Sequence, residues 1–231
     1  MTIKDNLKKI QEKIEKAKIK NAIKQKTQII AVTKTHPFSC IKECYEAGIR
    51  SIGENKIQEA TEKFLPHPEM PLLNKRFIGH LQTNKINKCL GLFDSIDSVD
   101  SIKLSKKINK KAHHRNLYIP VLLEVNTTRE PQKHGFLPEE IDKMLECFVY
   151  QNLNIQGLMT IAPAGQNEKE IRKSFKLLRA TRDTLNKQKP IEHEELKELS
   201  MGMSNDFEVA VEEGSTQVRI GTAILGKRSP S

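Results

Sequence analysis

The stretch IIAVTKTHP, residues 29–37, decides how the rest of the chain is read. Ile29 to Thr33 are small or branched and read as a buried strand, and Thr35-His36-Pro37 must stop it. Between them stands Lys34. An ammonium at the end of an apolar strand costs several kcal/mol to bury unless it is paired or loses its proton. A lysine pushed toward neutrality attacks aldehydes, which is Schiff-base chemistry. A lysine that snorkels into solvent is the plain alternative. The stretch by itself is compatible with both.

Working outward, the same unit repeats. Further strands are expected at 49–52, 76–80, 92–98, 117–126, 153–163 with its loop, 196–204 and 217–225. Helical segments lie between them, at 37–47, 56–64, from Gln82 to Gly91, at 101–115, 138–150, 167–188 and 205–214. Pro120 inside the fifth strand argues for an edge or a strand start. Alternating βα units imply parallel pairing, and eight of them in about 200 residues give a closed (β/α)₈ TIM barrel of the α/β class. A doubly wound open sheet is disfavoured, because no G-x-G-x-x-G follows the first strand. An extra N-terminal helix precedes the barrel, with Ile3, Leu7, Ile10, Ile14 and Ala17 in one apolar stripe that should lie on the body. The expected organisation is one domain over 1–231: N-terminal helix 1–27, barrel 28–226, tail 227–231.

Composition narrows the function classes. Of 231 residues, 37% are hydrophobic and 29% charged, which allows a globular core under a very polar surface. No apolar run approaches a membrane span, and the Lys-rich start has no signal-peptide core. The four cysteines show no zinc spacing, so reduced, structural thiols in a cytoplasmic protein are expected. The net charge is +10, yet residues 1–27 and 103–115 each carry +6, leaving the remainder at −2. The excess sits on two outer helices without interleaved aromatics, so these read as solvated faces and no specific nucleic-acid site is expected. No metal ligand set is expected. His113 and His114 are adjacent on a helix and diverge, and His193-Glu194-Glu195 lacks the second His of H-E-x-x-H.

In a barrel the functional face lies at the C-terminal ends of the strands. That rule selects Lys34, Glu54-Asn55, His80, Asn126, Met159-Thr160, Ser200 to Ser204, and Arg219 to Thr222. Loops after strands seven and eight form the usual phosphate site of such barrels, and here SMGMSND (200–206) and IGT (220–222) supply glycines and hydroxyls. Arg219 alternates with Val218 and Ile220, so it points into the barrel if they face the helices. It then meets either a ligand or a carboxylate such as Glu124. A reactive lysine, a phosphate cradle and an inward cation point to pyridoxal phosphate (PLP), which offers an aldehyde, a phosphate and a ring nitrogen.

The stretches AVTKTHP, IGENKIQEA, FIGHLQTNK, GLMTIAP and LSMGMSNDFEVAVEEGSTQVRIGTAILG span residues 31–226. In order and content they resemble the pyridoxal phosphate homeostasis proteins, whose barrel is similar to the N-terminal domain of alanine racemase. The resemblance implies that Lys34 holds PLP as a Schiff base. It also implies that Ser200, Ser204, Gly221 and Thr222 surround the phosphate and that Arg219 approaches the pyridine nitrogen. Asn55 and Met201 would line the ring, with His80 at the mouth. The chain departs from the family in lacking the Trp often found before the third strand, in His36, and in its individual loop at 127–134.

A PLP-dependent racemase is the alternative reading. In the racemases that resemble this barrel, a Tyr from a second domain serves as the opposite acid/base, and this chain offers only Tyr45, Tyr118 and Tyr150, none expected at the mouth. The expectation is therefore a monomeric, cytoplasmic PLP-binding protein without robust catalysis. It would buffer the cofactor and supply it to PLP-dependent apoenzymes.

Overall fold

The βα alternation closes on itself. The computed structural model describes residues 2–67, 70–163, 165 and 167–226. Eight parallel strands form a closed barrel in sequence order: β1 (Gln28–Val32), β2 (Ser51–Glu54), β3 (Asn74–Phe77), β4 (Ser95–Val99), β5 (Ile119–Glu124), β6 (Leu153–Met159), β7 (Glu198–Met203) and β8 (Gln217–Ile220). The helices outside them are α2 (Phe38–Glu46), α3 (Ile57–Phe64), α4 (Ile86–Leu92), α5 (Ile102–His113), α6 (Ile141–Glu146), α7 (Glu168–Gln188), α8 (Phe207–Glu212) and the short α9 (Thr222–Leu225). Helix α1 (Ile3–Lys20) precedes the barrel and starts at a Thr2–Asp5 capping box. The tail 227–231 and Pro68, expected to help break the helix after Phe64, lie outside the described residues.

The α1 stripe is where periodicity put it. Leu7, Ile10, Ile14 and Ala17 are buried, and Lys13 and Lys20 pair with Glu208 and Glu212 of α8 at 2.7 Å. Some of the N-terminal positive charge is thus partnered within the molecule.

Strand register separates two environments. Ala31, Ile52, Phe77, Ile96, Leu123, Leu158, Leu199, Val218 and Ile220 face outward and join one apolar core with the helices. Their neighbours face inward and are largely polar. Ile30 pairs laterally with Arg219, Val32 with Gly53, Gly53 with Arg76, and Met159 with Ser200. Lateral partners in a parallel sheet share a face, so these residues line the barrel interior.

Several interior polar groups are paired, although the Gln217 side-chain oxygen is buried without a partner. Arg76 donates from Nε and one terminal nitrogen to the two Asp97 oxygens at 2.8 and 2.9 Å, and Ser95 donates to Asp97 at 3.1 Å. Nearer the N-terminal end, the Gln28 amide donates to Ser51 at 2.9 Å and that of Gln217 to Glu198 at 2.8 Å.

Several strand limits differ from expectation: the fourth strand starts at Ser95, and the eighth ends at Ile220 because Thr222–Leu225 form α9. The third strand covers 74–77 rather than 76–80, because Asn74 and Lys75 already pair with Ser51 and Ile52, while Ile78 to His80 lead out of the sheet. Of the two readings of Pro120, the strand start holds and the edge does not. Pro120 is the second residue of β5, and a closed barrel has no edge strand.

The buried Arg76–Asp97 pair gives the first prediction. Asp97→Ala leaves a guanidinium uncompensated and should cost about 3–5 kcal/mol. Replacing both partners, Arg76→Met with Asp97→Leu, should cost less than Asp97→Ala alone. Urea denaturation checks the order, and additive losses would show that the two groups do not act as a pair.

Candidate functional site

Alternation along β1 carries Ile30, Val32 and then Lys34 on the inward side, which places Lys34 at the C-terminal mouth, partly exposed. Its backbone is held on both sides. The buried Lys63 of α3 donates to the Thr33 carbonyl at 2.8 Å, to Glu54 at 2.7 Å and to Glu59 at 2.6 Å. The Thr33 hydroxyl donates to the same Glu54 oxygen at 2.6 Å. Thr35 has φ +65°, a left-handed conformation rare for a β-branched residue, and its N–H donates to Glu59. Burial pushes the Glu54 carboxyl up against the pull of Lys63 and Thr33. Burial alone would raise Glu59 as well, but Lys63 and the Thr35 amide hold it below the usual carboxylate range. Of this clamp only Glu54 belongs to the sequence reading of the site; Lys63 and Glu59 are absent from it. A Glu59–Lys63 pair at i,i+4 is an ordinary exposed-helix signal, and only the fold turns it inward.

Beside β1, β8 and β7 supply the cationic wall and an anion cradle. Arg219 is buried and donates to the Ser200 carbonyl and hydroxyl, each at 2.8 Å, and to the Thr160 carbonyl at 2.7 Å. No ion pair joins it to Glu124, so the carboxylate partner weighed from sequence is not its direct contact. Burial pulls the guanidinium pKa down, and the nearby charges of Asp97, Glu124 and Asp206 oppose this. Just above, the N–H groups of Gly221 and Ala223 both donate to Ser204 Oγ at 3.3 Å. These are long bonds, and the converging amides open α9. Thr222 is exposed beside them. A methyl added at Gly221 would lie 3.3 Å from the Val32 carbonyl, so the close approach of β8 to β1 favours a residue without a side chain there.

The other expected residues divide. Asn55 sits at the end of β2, with its side-chain oxygen buried and without a hydrogen-bond partner. His80 is exposed and bonds Asp100 through Nδ1 at 3.1 Å. Met201 is fully buried in the apolar core, so its side chain does not line the mouth. The resemblance, not alternation, brought it in: Met201 follows inward-facing Ser200, so alternation turns its side chain toward the helices. The donors present fit PLP: two convergent amides and hydroxyls suit a phosphate, a lysine suits an aldehyde, and a fixed cation and an unpartnered amide oxygen suit a polar ring.

Glu124 closes the mouth on the β5 side. Burial, with the Asp100 charge beside it, pushes its pKa up to about 7 against the pull of Arg219. A carboxyl with a raised folded pKa stabilises the fold fully below its unfolded pKa and loses that contribution as pH rises through the folded value. Between about pH 4.5 and 7 the loss should reach at most roughly 3 kcal/mol. Glu124→Gln should therefore flatten the pH dependence of stability in that window, measured as Tm from pH 4.5 to 8. An unchanged slope would show that Glu124 titrates normally.

Comparison with known proteins gives the same picture. The family model described as alanine racemase, N-terminal domain, matches residues 3–229. A pyridoxal phosphate homeostasis protein of Aquifex aeolicus is 40% identical over 202 residues, 87% of each chain. The structure of PipY from Synechococcus elongatus with PLP bound superposes with a TM-score of 0.85 at 33% identity, covering 97% of this chain and 100% of that one. An alanine racemase of Clostridium difficile shares the fold at 17% identity, with a TM-score of 0.73, and this chain spans 58% of it. The chain belongs to the alanine racemase N-terminal domain family and, within it, to the pyridoxal phosphate homeostasis proteins.

Proposed function

We propose that this chain binds PLP at the barrel mouth, tethers it through Lys34, and acts as a monomeric cytoplasmic carrier that buffers the cofactor and supplies it to apoenzymes. One observation carries the reading. Lys34, the Arg219–Ser200 pair and the Ser204–Gly221–Ala223 cradle converge from three adjoining strands, β7, β8 and β1, at one end of the barrel. The PLP bound in PipY supports it. The whole chain, with α1 laid on the barrel, acts as a single domain.

PLP supplies an electrophilic aldehyde, a dianionic phosphate and a ring that can accept electrons when its nitrogen is protonated. Lys34 provides the amine, oriented by the Lys63 clamp on either side of it. Ser204, Gly221, Ala223 and Thr222 provide donors for the phosphate. Arg219 has no lone pair to accept a proton, and its fixed charge opposes protonation of a ring nitrogen placed against it. That weakens the electron sink that racemisation needs.

The tyrosines support the same choice. Tyr118 immediately precedes β5, Tyr150 lies just before β6, and the Tyr45 hydroxyl donates to the Pro71 carbonyl ahead of β3. All three belong to the N-terminal face, opposite the mouth. None can serve there as the second acid/base.

Purified protein loaded with PLP should show a visible Schiff-base band that borohydride fixes onto the peptide containing Lys34. Lys34→Ala should lose both the band and the label. Ser204→Ala should weaken retention by roughly tenfold, the worth of one hydrogen bond to a charged group. Incubation with alanine in deuterated water should give no α-proton exchange. Rapid exchange would favour the racemase, and borohydride labelling of another lysine would remove Lys34 from its role.

A further inference from the structure

A second constellation lies at the same end of the barrel and shares only His80 with the residues that the resemblance places at the PLP mouth. His80 follows β3, Asp100 follows β4, and His134 comes from the loop after β5. Both imidazole Nδ1 atoms approach one carboxylate oxygen of Asp100, His80 at 3.1 Å and His134 at 3.9 Å. One potential ligand atom from each residue lies within 4.8 Å of the other two. The rings stack at 3.8 Å between centroids and 14° between planes.

The backbone delivers His134 to this place. Gly135 has φ +115°, and a Cβ there would come within 2.8 Å of the Glu124 carbonyl. On either side of this contact Phe136 N–H donates to the Glu124 carbonyl and Asn126 N–H to the Phe136 carbonyl, both at 2.8 Å. The loop is therefore pinned at its base to the end of β5. Within it, the Asn126 side chain donates to the Glu130 carbonyl at 3.0 Å. His134 is held where it is by the turn, while its ring is about half exposed, as is that of His80.

We propose that His80, Asp100 and His134 bind a divalent transition-metal cation of the zinc, cobalt or nickel class, fastening the loop after β5 to the ends of β3 and β4. Two imidazoles and a carboxylate are the donor set such ions prefer, whereas magnesium and calcium call for oxygen ligands. Ligand atoms around tetrahedral zinc lie about 3.3 Å apart, given zinc–ligand distances near 2.0–2.1 Å. The two measured edges, 3.1 and 3.9 Å, bracket that value. Both rings must open from the stack so that each lone pair meets the ion, a rotation their exposure permits. Water completes the coordination. No covalent step is involved, and each imidazole binds in its neutral form.

The test uses the full chain without a histidine tag. Cobalt(II) titration followed by visible absorption, with zinc titration by calorimetry, should give one saturable site. His134→Ala and Asp100→Asn should each weaken it by at least tenfold, while the double change His113→Ala/His114→Ala should leave it unchanged. Amide exchange across residues 127–134 should slow in zinc and not in magnesium. Absence of saturable uptake, or uptake unaltered by His134→Ala and Asp100→Asn in folded variants, would overturn the site. Saturable binding with unchanged loop exchange would overturn the fastening.

Discussion

The position of Lys34 depends on another lysine. Lys63 reaches from α3 under the end of β1, and its buried ammonium is shared among a backbone carbonyl and two carboxylates. Remove that cation and Glu54 remains fully buried, held by the Thr33 hydroxyl. Unpaired buried charge is expensive, so the three side chains are interdependent. The consequence for the site is geometric. Thr33 is fixed through its carbonyl and hydroxyl, Thr35 through its amide, and Lys34 lies between them. The left-handed turn at Thr35 costs about 1–3 kcal/mol and persists because its surroundings fix it. A flexible side chain is thereby launched from a rigid point.

The same logic explains the polar interior. A barrel filled only with branched apolar residues would offer a packed core below the mouth. Here a guanidinium and a carboxylate fill the middle, and a second guanidinium sits nearer the top. Arg219 gives up hydration for two carbonyls and a hydroxyl, all part of β6 and β7 or their ends. Its charge is therefore fixed in place rather than adjustable. Burial raises the carboxyls of Glu124 and Asp206 above their usual range, with the Asp100 charge adding to it at Glu124, while Arg219 pulls both down. Outward-facing strand residues do separate work. They tie sheet to helices, and Gly202 lets β7 approach α8 so closely that a Cβ would sit 2.5 Å from that of Ala210.

Much of this was legible in the chain. Apolar runs, turn residues and alternation were enough for eight βα units, and the strand-end rule then selected Lys34, Arg219 and Ser204 without side-chain coordinates. The failures share a cause: periodicity describes which face a residue takes, not what it meets. RFIGH looked like a strand because its apolar residues are contiguous, but pairing started two residues earlier on polar Asn74 and Lys75. Met201 differs: it is a pocket residue only by resemblance, whereas its place after inward-facing Ser200 turns its side chain toward the helices. Lys63 and Glu59 read as surface charges, since nothing local says that α3 turns them toward β1 and toward Glu54, which the strand-end rule does select. His80, Asp100 and His134 are spaced by 20 and 34 residues, far outside any ligand-spacing pattern, and come together only through barrel closure.

Barrel closure also separates the two ends of the molecule by chemistry. The mouth gathers a lysine, an arginine, backbone donors and a histidine pair, all suited to holding anions, aldehydes or metal ions. The tyrosines, which could move a proton to and from carbon if suitably placed, belong to the other end, where Tyr45 is spent on a turn carbonyl and Tyr118 stands exposed. At the mouth Glu124 is raised to about 7 by burial, and β5 stands across the barrel from β1. Its charge faces Arg219 and Asp100, so a change in its protonation alters the field in which a ring held by Lys34 and Arg219 would sit. A site arranged this way should hold an anionic ligand less firmly once Glu124 is ionised.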